Sequence, residues 1–112
     1  MSVEEKKLLE DISQCIASID EHLAGKRIFN DYMSNKTVRR AVERELTIIG
    51  EAVNKLLKLN PGISISYARQ IVDLRNKVIH SYDNVDEVVV WNIIINHLPQ
   101  LDSEAQLLLA EN

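Results

Sequence analysis

The segment Arg75-Asn76-Lys77-Val78-Ile79-His80-Ser81-Tyr82 gathers a permanent cation, a group that titrates near neutrality and a phenol into one short stretch. Arginine is never deprotonated in proteins, and an unperturbed imidazole has a pKa of about 6.5. The first can hold a phosphate with its fork of donors, and the second can move a proton. Together they are the minimal equipment for cutting RNA without a metal. That reaction needs the 2′-hydroxyl deprotonated, the leaving 5′-oxygen protonated and the phosphorane charge stabilised. Asn76 can fix the imidazole or the phosphate through its amide, and Lys77 adds local positive charge, as does Arg69 two turns earlier.

Geometry sets a condition on this chemistry. Arg75 and His80 are five residues apart, which on an uninterrupted helix separates them by about 140°. They converge if the helix ends near His80, or if two subunits face each other across a symmetric cleft holding two copies of each group. At a helix C-terminus, His80 would also feel partial negative charge that favours its protonated form. Residue types alone leave a plainer reading open, in which Arg75 and His80 only cap carbonyls or pair with acids such as Asp73 or Asp83.

The elements that must position these groups read as helices. From about Glu4 to Leu23, Leu8, Ile12, Cys15, Ile16, Ile19 and Leu23 recur in steps of three and four, with Ser2 and Glu5 as a capping box and Gly25 as a stop. Residues 28–35 form a loose segment with room for one helical turn. A second long helix is expected from about Asn35 to Leu59, carried by Val38, Val42, Leu46, Ile49, Val53 and Leu56 and broken by Asn60-Pro61-Gly62. A third opens near Ser64 or Ser66 and reaches about Ile79. Asn84, with Glu87 three residues on, signals the next start. The run Val88-Val89-Val90-Trp91-Asn92-Ile93-Ile94-Ile95 favours a strand by propensity. It is read here as a helix, because nothing else in the chain offers a partner strand. A helix apolar all round must be buried all round, so it is either central or shared with a second subunit. Leu98-Pro99 introduces a last helix. The expectation is one all-α domain over residues 1–112, a bundle of four to five helices.

Composition narrows the function classes. Lys plus Arg is 13 and Asp plus Glu is 17, a net charge of −4. This argues against indiscriminate charge-driven nucleic-acid binding, so any RNA contact comes from a local basic patch. Cys15 is the only cysteine, which excludes an internal disulfide and a thiolate metal cage and reads as a buried inert thiol. The histidines His22, His80 and His97 have no metal-ligand spacing, and no glycine-rich phosphate loop occurs, so neither a metal nor another cofactor is expected. No signal-peptide pattern or membrane span is seen, and a cytoplasmic protein is expected. Arg39, Arg40 and Arg44 form either a basic strip or an ordinary solvated face. Trp91 reads as a core or interface anchor.

The R-x4-H-x-Y segment resembles the signature of HEPN domains, specifically HepT-like toxins. The likeness extends to Arg44-Glu45-Leu46-Thr47-Ile48-Ile49-Gly50-Glu51-Ala52, to Asn60-Pro61-Gly62-Ile63 before Ile71-Val72-Asp73-Leu74-Arg75-Asn76, and to Val85-Asp86, Val90-Trp91 and Leu98-Pro99. Ala68 and Asp73 depart from it, standing where relatives often carry an aromatic and a small residue. The resemblance implies an up-and-down HEPN-type bundle and a metal-independent endoribonuclease. That enzyme would be the toxin of a type VII-like toxin–antitoxin pair, acting as a homodimer or an assembly of dimers. Arg75 and His80 would be the catalytic pair, supported by Asn76 and Lys77, with Glu51 a candidate to pair with Arg75 and orient it. The implied partner is an MntA-like nucleotidyltransferase antitoxin that transfers AMP from ATP to the motif tyrosine, here Tyr82. The alternative is a non-catalytic helical module that binds and regulates such a nucleotidyltransferase.

Overall fold

The computed structural model describes residues 1–80 and 85–111, except for the side chain of His80. Six helices and no strand occur among the described residues. The strand propensity of residues 88–95 is therefore overruled, as expected from the lack of a pairing partner.

Helix α1 (Val3–His22) starts at the foreseen capping box, with Ser2 Oγ accepting from the Glu5 backbone N–H at 3.1 Å. It ends where Ala24 and Gly25 both take left-handed backbone, φ 55° and 71°. The loose segment contains the short helix α2 (Phe29–Met33). Helix α3 (Lys36–Leu59) is capped by Asn35, whose Oδ1 accepts from Val38 N–H at 3.1 Å. Helix α4 (Ala68–His80), α5 (Glu87–Asn96) and α6 (Leu98–Ala110) follow. Five longer helices form the bundle, within the expected four to five, and α2 is the short helical turn for which residues 28–35 had room.

Three local expectations are corrected. The third long helix starts at Ala68, after both proposed serines. Tyr67 has φ 60°, which cannot continue a helix, and Ser66 donates its N–H and Oγ–H to the Glu104 carboxylate instead of capping. The cap of α5 is Asp86, which accepts from Val88 and Val89 N–H, and Asn84 lies outside the described residues. Finally, of the two placements expected for α5, the central one is not found within the single chain, whose α5 is covered on one side only. Val90, Ile93 and Ile94 are core residues, whereas Val88 is 65% exposed and Val89 42%.

The core is aliphatic, built from Leu9, Ile12, Val42, Leu46, Ile49, Val53, Leu56, Ile71, Val90, Leu98 and Leu101 among others. Helix α1 packs on α3 and α6, α4 on α3, α5 on α6 and α2 on α3. The lateral order is therefore α4, α3, α1, α6, α5, and its two end members flank a groove. Phe29, Tyr32 and Trp91 add a small aromatic cluster, with Trp91 5.7 and 5.2 Å from the other two ring centres. Cys15 is buried, and loss of solvation pushes its thiol up to about 11, so it is inert. No helix among the described residues is long and apolar enough to cross a membrane.

Candidate active site

Arg75 stands where α4 presses hardest on α3. Its Cβ and Cγ lie directly over Gly50, and a Cβ built on Gly50 would sit 2.3 and 2.7 Å from them. Only a glycine permits that approach, because carbon atoms in contact need about 3.5 Å or more. The stem of Arg75 is thus fixed by packing, which restricts where its guanidinium can reach.

Among the described residues, no carboxylate neutralises the guanidinium. Arg75 Nε is buried and has no hydrogen-bond partner, and the ion pairs formed among the described residues, Lys7–Asp11, Arg27–Asp20, Arg39–Glu87 and Arg40–Glu43, leave Arg75 out. An unmade bond at a buried donor costs about 1–3 kcal/mol and calls for an acceptor from elsewhere. A phosphate oxygen meets that need and matches the planar fork.

The expected pairing of Glu51 with Arg75 does not form. Gly50 is the α3 residue beneath Arg75, so Glu51, turned about 100° further round, points off the contact and is exposed. Asn76 and Lys77 are exposed too, at about 100° and 200° from Arg75, so the three side chains fan out and do not converge. Lys77 instead lines the groove between α4 and α5. Helix α4 continues through His80, whose side chain lies outside the described residues, as do Ser81, Tyr82 and Asp83.

A second charged cluster escaped the sequence reading. Glu43 is the only charged residue buried in the core among the described residues, 4% exposed on the apolar row of α3. Burial first, and then hydrogen bonding to the Glu87 carboxyl, pushes Glu43 up to about 7, against the pull of Arg40 at 3.0 Å. Glu87 accepts from the Tyr32 hydroxyl at 2.6 Å and lies 3.8 Å from Arg39 Nε. Burial and that hydrogen bond hold the Tyr32 phenol well above its usual range. Arg39 also donates to the Met33 carbonyl. Two of the three arginines of the proposed basic strip are therefore engaged, leaving Arg44 exposed. The signal for this cluster was a carboxylate in step with Val42, Leu46 and Gly50. No group of three or more potential metal ligands occurs among the described residues.

Comparison with known proteins agrees with the helical architecture. The profile of the family described as "Ribonuclease HepT-like" matches residues 12–108. A protein named probable ribonuclease HepT from Thermococcus cleftensis is 35% identical over 107 residues, covering 92% of this chain and 94% of that one. A protein from Caldanaerobacter subterraneus subsp. tengcongensis, named as a candidate RNase, is 32% identical over 102 residues, 90% of each chain. Another such protein, from Methanocaldococcus jannaschii, is 32% identical over 83 residues, 70% of this chain and 73% of its own. No solved structure matches the chain. Its all-helical bundle, the R-x4-H segment on α4 and the match across most of its length make this chain a member of the HepT-like ribonuclease family.

Proposed function

We propose that the chain is a metal-independent endoribonuclease, with Arg75 and His80 as the catalytic pair. The observation that carries this reading is the buried Nε of Arg75, without a partner among the described residues and held rigidly over Gly50 inside an R-x4-H segment. His80 exchanges protons with the 2′-hydroxyl and the 5′-oxygen, while Arg75 neutralises charge on the phosphorane. Because α4 remains helical through His80, the two positions are about 140° apart and about 7.5 Å apart along the axis. That separation favours a cleft assembled by a homodimer, in which each helix supplies an arginine and a histidine. The exposed apolar side chains Ile79, at 41%, and Val88, at 65%, support a surface shared with a second copy.

In this reading residues 1–112 act as one cytoplasmic toxin domain, restrained by a nucleotidyltransferase antitoxin. The phenol oxygen of Tyr82 attacks the α-phosphorus of ATP, losing its proton, and pyrophosphate leaves. The added AMP brings bulk and negative charge beside the cleft and excludes RNA. The names of the relatives support the ribonuclease activity.

Arg75→Ala and His80→Ala proteins are expected to lose about a thousandfold in RNA cleavage while keeping their helical circular dichroism. Full cleavage by either folded variant would refute the assignment. The net charge of −4 favours one other reading, a non-catalytic module that regulates a nucleotidyltransferase. Expression of the chain alone separates them, because such a module is tolerated by the cell and a nuclease toxin arrests growth.

A further inference from the structure

The groove between α4 and α5 has the makings of a site of its own. Its volume is about 310 Å³, and Leu74, Val89 and Ile93 contribute its apolar part. Polar groups stand around these: Gln70, Asp73 and Lys77 from α4, Asn92 from α5, and His97 from the junction with α6. At its mouth is Tyr67, 44% exposed, with its ring centre 3.9 Å from that of His97. One side of the phenol is thus backed by an imidazole, and much of the ring remains open to solvent.

Tyr67 holds this position at a cost. Its φ of 60° is a left-handed backbone that a bulky residue seldom adopts. The turn is pinned on both sides, by Ser66 donating to the Glu104 carboxylate and by Ile71 N–H donating to the Tyr67 carbonyl at 3.0 Å. Strain of this kind persists where the surroundings over-determine it, and it concentrates at ligand-binding positions. His97 Nδ1 is also buried without a hydrogen-bond partner. A slot that combines an apolar floor and a stacking ring with two amides, an imidazole, a lysine and a carboxylate is suited to a nucleobase whose amino groups donate to Asp73 and whose phosphate is held by Lys77. Six of its nine lining residues carry a polar group, more than an apolar knob's socket needs.

Register ties the groove to the catalytic helix. Positions 70, 73, 74 and 77 form an i, i+3, i+4 row on α4, and the next position of that row within the helix is 80. We infer that this groove is a subsite for one unpaired base of the RNA, stacked on Tyr67, with Lys77 on its phosphate and the scissile bond toward the C-terminal end of α4. The inference rests on the ribonuclease reading and deepens it. It requires the RNA to be unpaired where it meets this groove, since a paired base cannot reach such a slot.

The test uses a short single-stranded RNA carrying the fluorescent base 2-aminopurine, titrated into full-length His80→Ala protein so that bound RNA stays intact. Stacking is expected to quench the probe. Tyr67→Ala should weaken binding about 10-fold and abolish the quench, whereas Tyr67→Phe, which keeps the ring, should behave as the parent does. Lys77→Ala should weaken binding and lower the slope of log affinity against log salt by about one unit. Unchanged affinity and quench in Tyr67→Ala would overturn the subsite. So would sedimentation showing that Tyr67→Ala dissociates the protein, because the groove would then be filled by a second copy. Cleavage assays on the His80-containing proteins separate the two claims. Wild type that cuts RNA alongside Tyr67→Ala that cuts and binds equally well defeats the subsite alone, while wild type that neither cuts nor binds RNA defeats both.

Discussion

The Glu43 cluster and the Arg75 site treat charge in opposite ways. Around Glu43, every group has a partner within the fold: Arg40 to Glu43, Glu43 to Glu87, and Tyr32 and Arg39 to Glu87. The cluster joins α2, α3 and the first residue of α5, and its chemistry is consumed in holding them. Arg75 is packed just as firmly, with its stem against Gly50, yet its Nε–H meets no acceptor among the described residues. Rigid placement with satisfied polar atoms builds structure, and rigid placement with an unsatisfied one reserves binding energy for a ligand. Burial alone does not tell the two apart. The hydrogen-bond inventory does.

Within this contrast, the largest expected effect comes from altering the unsatisfied donor without removing its charge. Arg75→Lys keeps the cation but loses the planar fork and the buried Nε–H, and cleavage should fall about 100-fold in single-turnover assays with little change in thermal midpoint. If lysine served as well as arginine, the contrast between the two regions would collapse. Gly50→Ala attacks the placement. The added methyl must displace either Arg75 or the whole of α4, and a stability loss of about 2–3 kcal/mol is expected in chemical denaturation, together with impaired cleavage.

The satisfied cluster should instead reveal itself through pH. Glu43 is raised from an ordinary carboxyl value of 4.5 to about 7, so the folded protein keeps a proton that the unfolded chain releases across that window. Stability is therefore fullest below the lower value and falls as pH rises through the upper one, by roughly 3 kcal/mol at about 1.4 kcal/mol per unit. Denaturation midpoints between pH 4 and 8 should show the decline. Glu43→Gln, a neutral side chain of the same shape, should flatten it. A wild-type curve as flat as that of Glu43→Gln would mean that the two carboxyls share no proton. The smallest effect is expected from Tyr32→Phe, which deletes the 2.6 Å donor to Glu87. About 1–2 kcal/mol should be lost, with cleavage by the folded fraction unchanged.

Much of this was legible in the chain, for reasons that differ from residue to residue. The Ser2–Glu5 capping box and the Asn35 cap lie beside the backbone groups they satisfy, so their effect is local and readable. Residues 88–95 read as helix only because a strand there has nothing to pair with, since propensity points the other way. The start of α4 is not legible locally, because Ser64 and Ser66 look like caps and nothing nearby in sequence reveals that Glu104 claims Ser66 or that Tyr67 turns left-handed.

By itself, the sequence determined the helical periods, the breaks at Asn60-Pro61-Gly62 and the presence of Arg75 and His80 on one segment. Each of these depends on neighbours within a few residues along the chain. Tertiary structure alone decided that Gly50 lies under Arg75, that Glu43 shares a site with Glu87, and that Tyr67 stacks on His97. Those contacts join residues far apart in the chain, and they exist because helices cross at particular turns. A one-residue rotation at any crossing, about 100°, would exchange each of them for another.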